Sequence, residues 1–173
     1  MAIRKILTEP DIFLRQISHD VEKVDDKIRS LMDDMLETMY AAPGIGLAAI
    51  QIGVPKRVIV IDLSKDEEKT PLYIVNPKVI VKSKNNSTYE EGCLSVPGQF
   101  AEVDRPNECH LSYLDYNGQK KELRAEGLLA TCIQHEMDHL EGILFIDYLS
   151  KLKKNYIVKK LSKQKKVLER IVV

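Results

Sequence analysis

The chain has 173 residues, 44% of them hydrophobic, with 26 Lys or Arg balanced by 26 Asp or Glu. That length suits one domain with a real core and is too short to expect two. Balanced charge offers no global field to draw in DNA or a membrane, and neither is an expected partner.

No apolar run approaches the roughly 18 residues of a spanning helix. Residues 1–10 lack the apolar stretch of a signal peptide, because Glu9 and Asp11 follow Arg4 and Lys5 too soon. Cytoplasmic localisation is therefore expected. The three cysteines, Cys93, Cys109 and Cys132, argue against a disulfide framework.

Residues 25–41 read as an amphipathic helix, with Ile28, Leu31, Met32, Met35, Leu36 and Met39 on one face. Asp25 suits the N-cap, and Pro43-Gly44 ends the helix. Residues 44–51 follow, with two glycines two apart, a backbone that must pass close to something. Residues 57–63 read as a strand. Residues 72–75 and 78–81 read as two more, broken at Asn76-Pro77. Polar loops are expected at residues 64–70 and 82–87.

Residues 109–116 and 120–125 read as strands joined by Asn117-Gly118, a strong hairpin signal. A very apolar helix is expected over residues 128–140, ended by Gly142, and a last helix over about 150–170. Strands grouped rather than alternating with helices indicate an α+β fold. Its expected form is antiparallel strands around a central buried helix, with a C-terminal helix, in one catalytic domain over residues 1–173.

That central helix carries His135-Glu136-Met137-Asp138-His139, the pattern H-E-x-x-H. Four residues is just over one helical turn, so both imidazoles leave one face and can bind one ion. Glu136 is rotated off that line yet adjacent, which suits a general base acting on water at the ion. Leu128, Leu129, Ala130, Cys132, Ile133, Met137 and Leu140 make the helix apolar nearly all round, so it should be buried. Burying two imidazoles and two carboxylates without partners would cost roughly several kcal/mol, which a metal site resolves.

A third ligand must come from the remaining His, Cys, Asp and Glu. Cys93 stands out, because Gly92 and Pro97 mark its surroundings as irregular backbone. Cys109 and Cys132 read as buried structural thiols, although Cys132 lies one turn before His135 and can line a pocket. H-E-x-x-H alone also fits a zincin-like peptidase, which predicts its third ligand C-terminal to the motif. A non-enzyme, a metal-stabilised ribosome- or RNA-binding module, is a further alternative.

Three stretches, residues 44–51, 91–95 and 134–140, closely resemble the signature motifs of the peptide deformylase family, in order and spacing. The resemblance spans essentially the whole chain. It implies a metal-dependent hydrolase that removes the N-formyl group from the initiator formylmethionine of nascent bacterial proteins. It assigns Cys93, His135 and His139 as ligands, usually of ferrous iron, with zinc, nickel or cobalt able to substitute. It also implies that Glu136 acts as base and then acid while water on the ion attacks the formyl carbon. The Gln51 amide and the Leu94 N–H are then the oxyanion donors, and Glu91 is a supporting acid paired with Arg105. An extended substrate should pair with main chain near Ile45, Gly46 and Gly92. Its methionine side chain should enter a slot made by Leu128, Thr131 and Cys132, with Ile45 and Tyr89. Phe100 departs from the family pattern, in which many relatives carry arginine.

Residues 151–173 hold nine Lys or Arg against Glu169 alone, a net +8 that leaves the remainder at −8. Leu152, Tyr156 and Leu161 supply an apolar side for docking on the body. The resemblance implies that this basic helix faces the ribosome.

Overall fold

The computed structural model describes residues 2–65 and 68–171. Of the 64–70 loop, Asp66 and Glu67 therefore lie outside the described residues, as do the last two of the 151–173 stretch. The architecture is α+β, as expected. Helix α1 spans Asp26–Ala41, α2 spans Gly127–Leu140 and α3 spans Lys151–Ile171. Strands β1 (Gly46–Ala48), β2 (Val58–Ile61), β3 (Leu72–Lys82), β6 (Glu108–Leu114) and β7 (Lys120–Glu126) form one antiparallel sheet in the order β1-β2-β3-β6-β7. Strands β4 (Asn86–Cys93) and β5 (Val96–Pro106) form a separate antiparallel pair.

The local signals act as their chemistry dictates. The Asp25 carboxylate accepts the Ile28 N–H and so caps α1. Met32, Met35 and Met39 are fully buried against β2 residues Val58 and Val60. At the β6–β7 turn, the Asp115 carboxylate accepts from the N–H groups of Asn117 and Gln119, and Gly118 takes φ +77°. Helix α2 starts at Gly127, one residue before the expected start, and Gly142 at φ +71° follows its end.

Residues 72–82 correct one expectation. Asn76-Pro77 does not divide two strands but lies inside the single strand β3. Asn76 adopts φ +49°, and its side chain bonds both the N–H and the C=O of Val21. Pro77 has no N–H to give the ladder, so the register with β6 shifts between Val75 and Lys78. The expected loop at 82–87 shrinks accordingly to residues 83–85, between β3 and β4.

The β4–β5 hairpin is a second correction. Its charged run, including Glu90, Glu91, Glu102, Asp104 and Arg105, conceals two strands that alternate exposed and buried positions. Cys93 consequently sits at the end of a strand rather than in irregular chain. The irregularity is confined to a register shift between Gly92 and Cys93, where β4 turns into β5.

Helix α2 lies between the two sheets. Ala130 and Ile133 are fully buried in a cluster with Ile59, Ile61, Ile74 and Leu111. Helix α3 docks through Ile157 and Leu161 on Val96, Ala101, Val103 and Phe145. Leu152 and Tyr156 do not dock: they are 83% and 66% exposed. Ile157, one residue beyond Tyr156, shares the buried stripe with Leu161 because four residues bring it back to the same helical face.

Candidate active site

Both histidines of α2 are buried, and Cys93 meets them from the end of β4. Cys93 Sγ lies 3.3 Å from His139 Nε2. One ligand atom from each of Cys93, His135 and His139 falls within 4.8 Å of the others, the one such cluster of three or more His, Cys, Asp or Glu side chains among the described residues. A tetrahedral ion at roughly 2.0–2.3 Å from nitrogen and sulfur holds its ligands roughly 3.5 Å apart, so these three fit one ion. Thiolate and imidazole donors suit several ions, iron, zinc, nickel and cobalt among them.

The neighbours of this cluster orient it. Glu91 Oε2 lies 2.8 Å from His135 Nδ1, which leaves Nε2 of that ring for the ion. Arg105 donates to both oxygens of Glu91, from Nε at 2.6 Å and Nη2 at 3.0 Å. The pair is buried, not the exposed pair that its charges alone would equally have allowed. Burial works to raise the Glu91 carboxyl, but the hydrogen bonds from His135 and Arg105 prevail and hold it below the usual carboxylate range. Arg105 Nη1 also reaches Asp138, which accepts from Tyr148 Oη at 2.7 Å.

Glu136 stands beside the cluster with Oε2 buried and without a hydrogen-bond partner among the described residues. Burial pushes its carboxyl up to about 7. A dication next to it would pull that value back down, leaving a carboxylate able to take and return a proton. The main chain of Gly46 packs against this side chain so closely that any Cβ there would collide with Oε1. The close backbone approach expected from the paired glycines is therefore an approach of Gly46 to Glu136 and of Gly44 to the Leu94 side chain.

A cavity of about 450 Å³ opens on this centre. Ile45, Gly46, Gln51, Tyr89, Glu91, Gly92, Cys93, Leu94, Leu128, Thr131, Cys132, His135 and Glu136 all line it. His139 sits behind them, 1% exposed. Arg105 likewise lies off the cavity and touches it only through Glu91. Burial raises the Cys132 thiol, so that wall of the slot stays uncharged. Gln51 is held from both ends: its Oε1 accepts the Ala48 N–H at 2.8 Å, and its Nε2 donates to Ser95 Oγ at 3.0 Å and lies 3.6 Å from Cys93 Sγ. Leu94 occupies the turn between β4 and β5, at the mouth of the same cavity.

Five residues of the site escaped the reading of the sequence. Ser95 anchors Gln51, Asp138 shares Arg105 with Glu91, and Pro43, Pro97 and Gly98 complete the cavity wall. Asp138 had a signal, since it stands inside the histidine motif. Ser95 likewise stands inside the 91–95 stretch, whereas Pro43 and Gly98 carried no signal beyond proximity to a motif.

A family model described as polypeptide deformylase matches residues 3–155. The chain is 69% identical over 176 residues to a peptide deformylase of Pelagibacter ubique, with both chains covered completely. It is 63% identical to that of Phenylobacterium zucineum, covering 96% of this chain and 99% of the other. Among solved structures it resembles the peptide deformylase of Ehrlichia chaffeensis in complex with actinonin, with TM-score 0.91, 46% identity and coverage of 95% and 98%. The corresponding enzyme of Legionella pneumophila matches with TM-score 0.90 and 46% identity over 98% of this chain and 99% of that one.

Proposed function

The chain belongs to the polypeptide deformylase family, metal-dependent hydrolases that remove formyl from N-terminal methionine, and from that premise we propose how its residues divide the work. Residues 1–173 act as one catalytic domain. Cys93, His135 and His139 hold the ion. The observation that carries this reading is the convergence of those three side chains beside Glu136, whose Oε2 has no hydrogen-bond partner among the described residues, at the wall of a cavity.

A divalent ion there supplies a Lewis acid for the attacking water and for the formyl oxygen. Glu136 accepts the proton that water gives up as it adds to the formyl carbon. It then delivers that proton to the departing amine nitrogen, so formate and a free amino group leave. The Gln51 amide and the Leu94 N–H stabilise the negative oxygen that develops between those steps. Ser95 and the Ala48 N–H support this role by fixing the Gln51 amide in one orientation.

Among the described residues strand β1 pairs only with β2, and β4 only with β5, so each keeps one edge free there. Residues of both line the cavity. An extended formylmethionyl peptide joins these edges near Ile45, Gly46 and Gly92. The methionine side chain enters between Leu128, Thr131, Cys132, Ile45 and Tyr89. A zincin-like peptidase is the weaker reading, because Cys93, the third candidate ligand, precedes the histidine motif rather than following it.

Ferrous iron is the ion we assign in the cell, on the family resemblance, and a ferrous thiolate site would be open to oxidation. We place the enzyme in the cytoplasm, where formylated nascent chains arise and three unpaired cysteines are at home. No helix among the described residues is long and apolar enough to cross a membrane. Helix α3 turns its basic residues outward, which suits docking on ribosomal RNA. Unchanged ribosome affinity at physiological salt after removal of residues 151–173 would exclude that docking.

The deciding assay is turnover of formyl-Met-Ala by anaerobically purified protein with its metal counted. Hydrolysis of formyl-Met-Ala but not acetyl-Met-Ala is expected. Cleavage of internal amides instead would replace the deformylase reading by the peptidase one.

A further inference from the structure

The outer surface of the β4–β5 hairpin carries a large apolar side chain that the proposed chemistry does not use. Phe100 is 63% exposed, yet it lines the cavity. It is the cross-strand partner of Gly92, and a Cβ built on Gly92 would lie 2.5 Å from the Phe100 Cε1 atom. The ring therefore lies over the main chain of Gly92.

The two faces of β4 are sorted by its neighbours. Glu91 reaches His135, and the Tyr89 hydroxyl lies beside Gly127, so both residues face α2. Alternation along the strand turns Glu90 and Gly92 to the opposite, outer face. Phe100 shares that outer face with Gly92, as cross-strand partners do.

This inference rests on the reading above, in which the substrate lies extended along the free edges of β1 and β4. Its first side chain enters the slot beside α2. Its second side chain must then project to the outer face, where Phe100 stands and Glu90 is exposed. We propose that Phe100 determines specificity for the second residue of the substrate, favouring a large apolar or aromatic side chain directly after formylmethionine. Glu90 adds a negative charge to the same face and disfavours Asp or Glu there. An aromatic contact of this kind is worth roughly a three- to tenfold preference.

The test compares kcat/KM for formyl-Met-Xaa-Ser peptides, with Xaa as Phe, Leu, Ala or Asp, on the metal-loaded protein. The wild type should favour Phe and Leu over Ala by roughly three- to tenfold, with Asp poorest. Phe100→Ala should bring the Phe/Ala ratio to about one, chiefly through KM, because the contact is equal in ground and transition states. Phe100→Leu should keep most of the Leu preference. A Phe/Ala ratio unchanged in Phe100→Ala overturns the proposal, as does a wild type indifferent to Xaa. Failure to hydrolyse any of the formylated peptides contradicts the deformylase reading itself, a result distinct from turnover without discrimination.

Discussion

The carboxylate of Glu91 is shared between His135, whose Nδ1 lies 2.8 Å away, and Arg105, which grips both of its oxygens. One buried ion pair thereby sets the tautomer and the ring plane of a candidate metal ligand. Glu91→Ala should weaken metal binding by roughly 10- to 100-fold, as loss of such a supporting acid does. Competition against a chelator of known affinity measures this. Retention of wild-type affinity would show that His135 needs no such support.

Arg105→Met removes the cation and leaves Glu91 buried beside Asp138 without it. Breaking a buried pair in this way costs about 3–5 kcal/mol. Denaturant melts of the wild type and the variant should differ by that amount. A loss below about 1 kcal/mol would mean that solvent screens the pair as it does at a surface.

Glu136→Gln should lower kcat by roughly 10²- to 10⁴-fold, the usual worth of a positioned acid/base. Metal content should stay at the wild-type level, because Glu136 is not among the clustered ligand atoms. Retained turnover would eliminate the proton-carrying role.

Gly46→Ala tests the same carboxylate from the backbone side. Its Cβ would collide with Glu136 Oε1, so Glu136 must swing away from its station. A large fall in kcat with little change in thermal midpoint is expected. Unchanged kcat would mean that Glu136 can act from more than one position.

Asp34 gives a pH dependence remote from the site. The Arg4 guanidinium hydrogen-bonds its carboxylate and, with the Ala2 N–H, holds it below the usual carboxylate range. A folded-state value below the unfolded one stabilises the protein above the unfolded value of about 3.9. That contribution is lost as pH falls through the lower folded value. From about pH 5 down to about pH 2 the thermal midpoint of the wild type should therefore fall more steeply than that of Asp34→Asn. Parallel slopes would remove Asp34 from the acid sensitivity.

Residues whose signals are local were legible without a structure. Asp25 caps α1 by bonding a backbone N–H three residues on, and Asn117-Gly118 makes a tight turn wherever it occurs between strands. His135 and His139 share a face because helical geometry is the same in any protein. Residues whose role depends on distant chain were not. The β4–β5 strands were hidden because Glu91 and Arg105 place charges at buried positions, which breaks the apolar–polar alternation. Tyr156 looked like a docking residue, and Ile157 docks instead, since the face of α3 that meets Phe145 and Val96 is the one shared by Ile157 and Leu161.

The amino-acid sequence alone determined the chemistry on offer: two imidazoles and a carboxylate on one buried helix, and a thiol in a glycine-flanked segment. Resemblance named that thiol as the third ligand. Only the tertiary structure brought Cys93 to 3.3 Å from His139, placed Arg105 behind Glu91 and set the Phe100 ring over Gly92. The physical reason is range. Helical spacing fixes neighbours within a turn or two, whereas the meeting of a strand end with a helix 46 residues away is decided by how two sheets pack around α2.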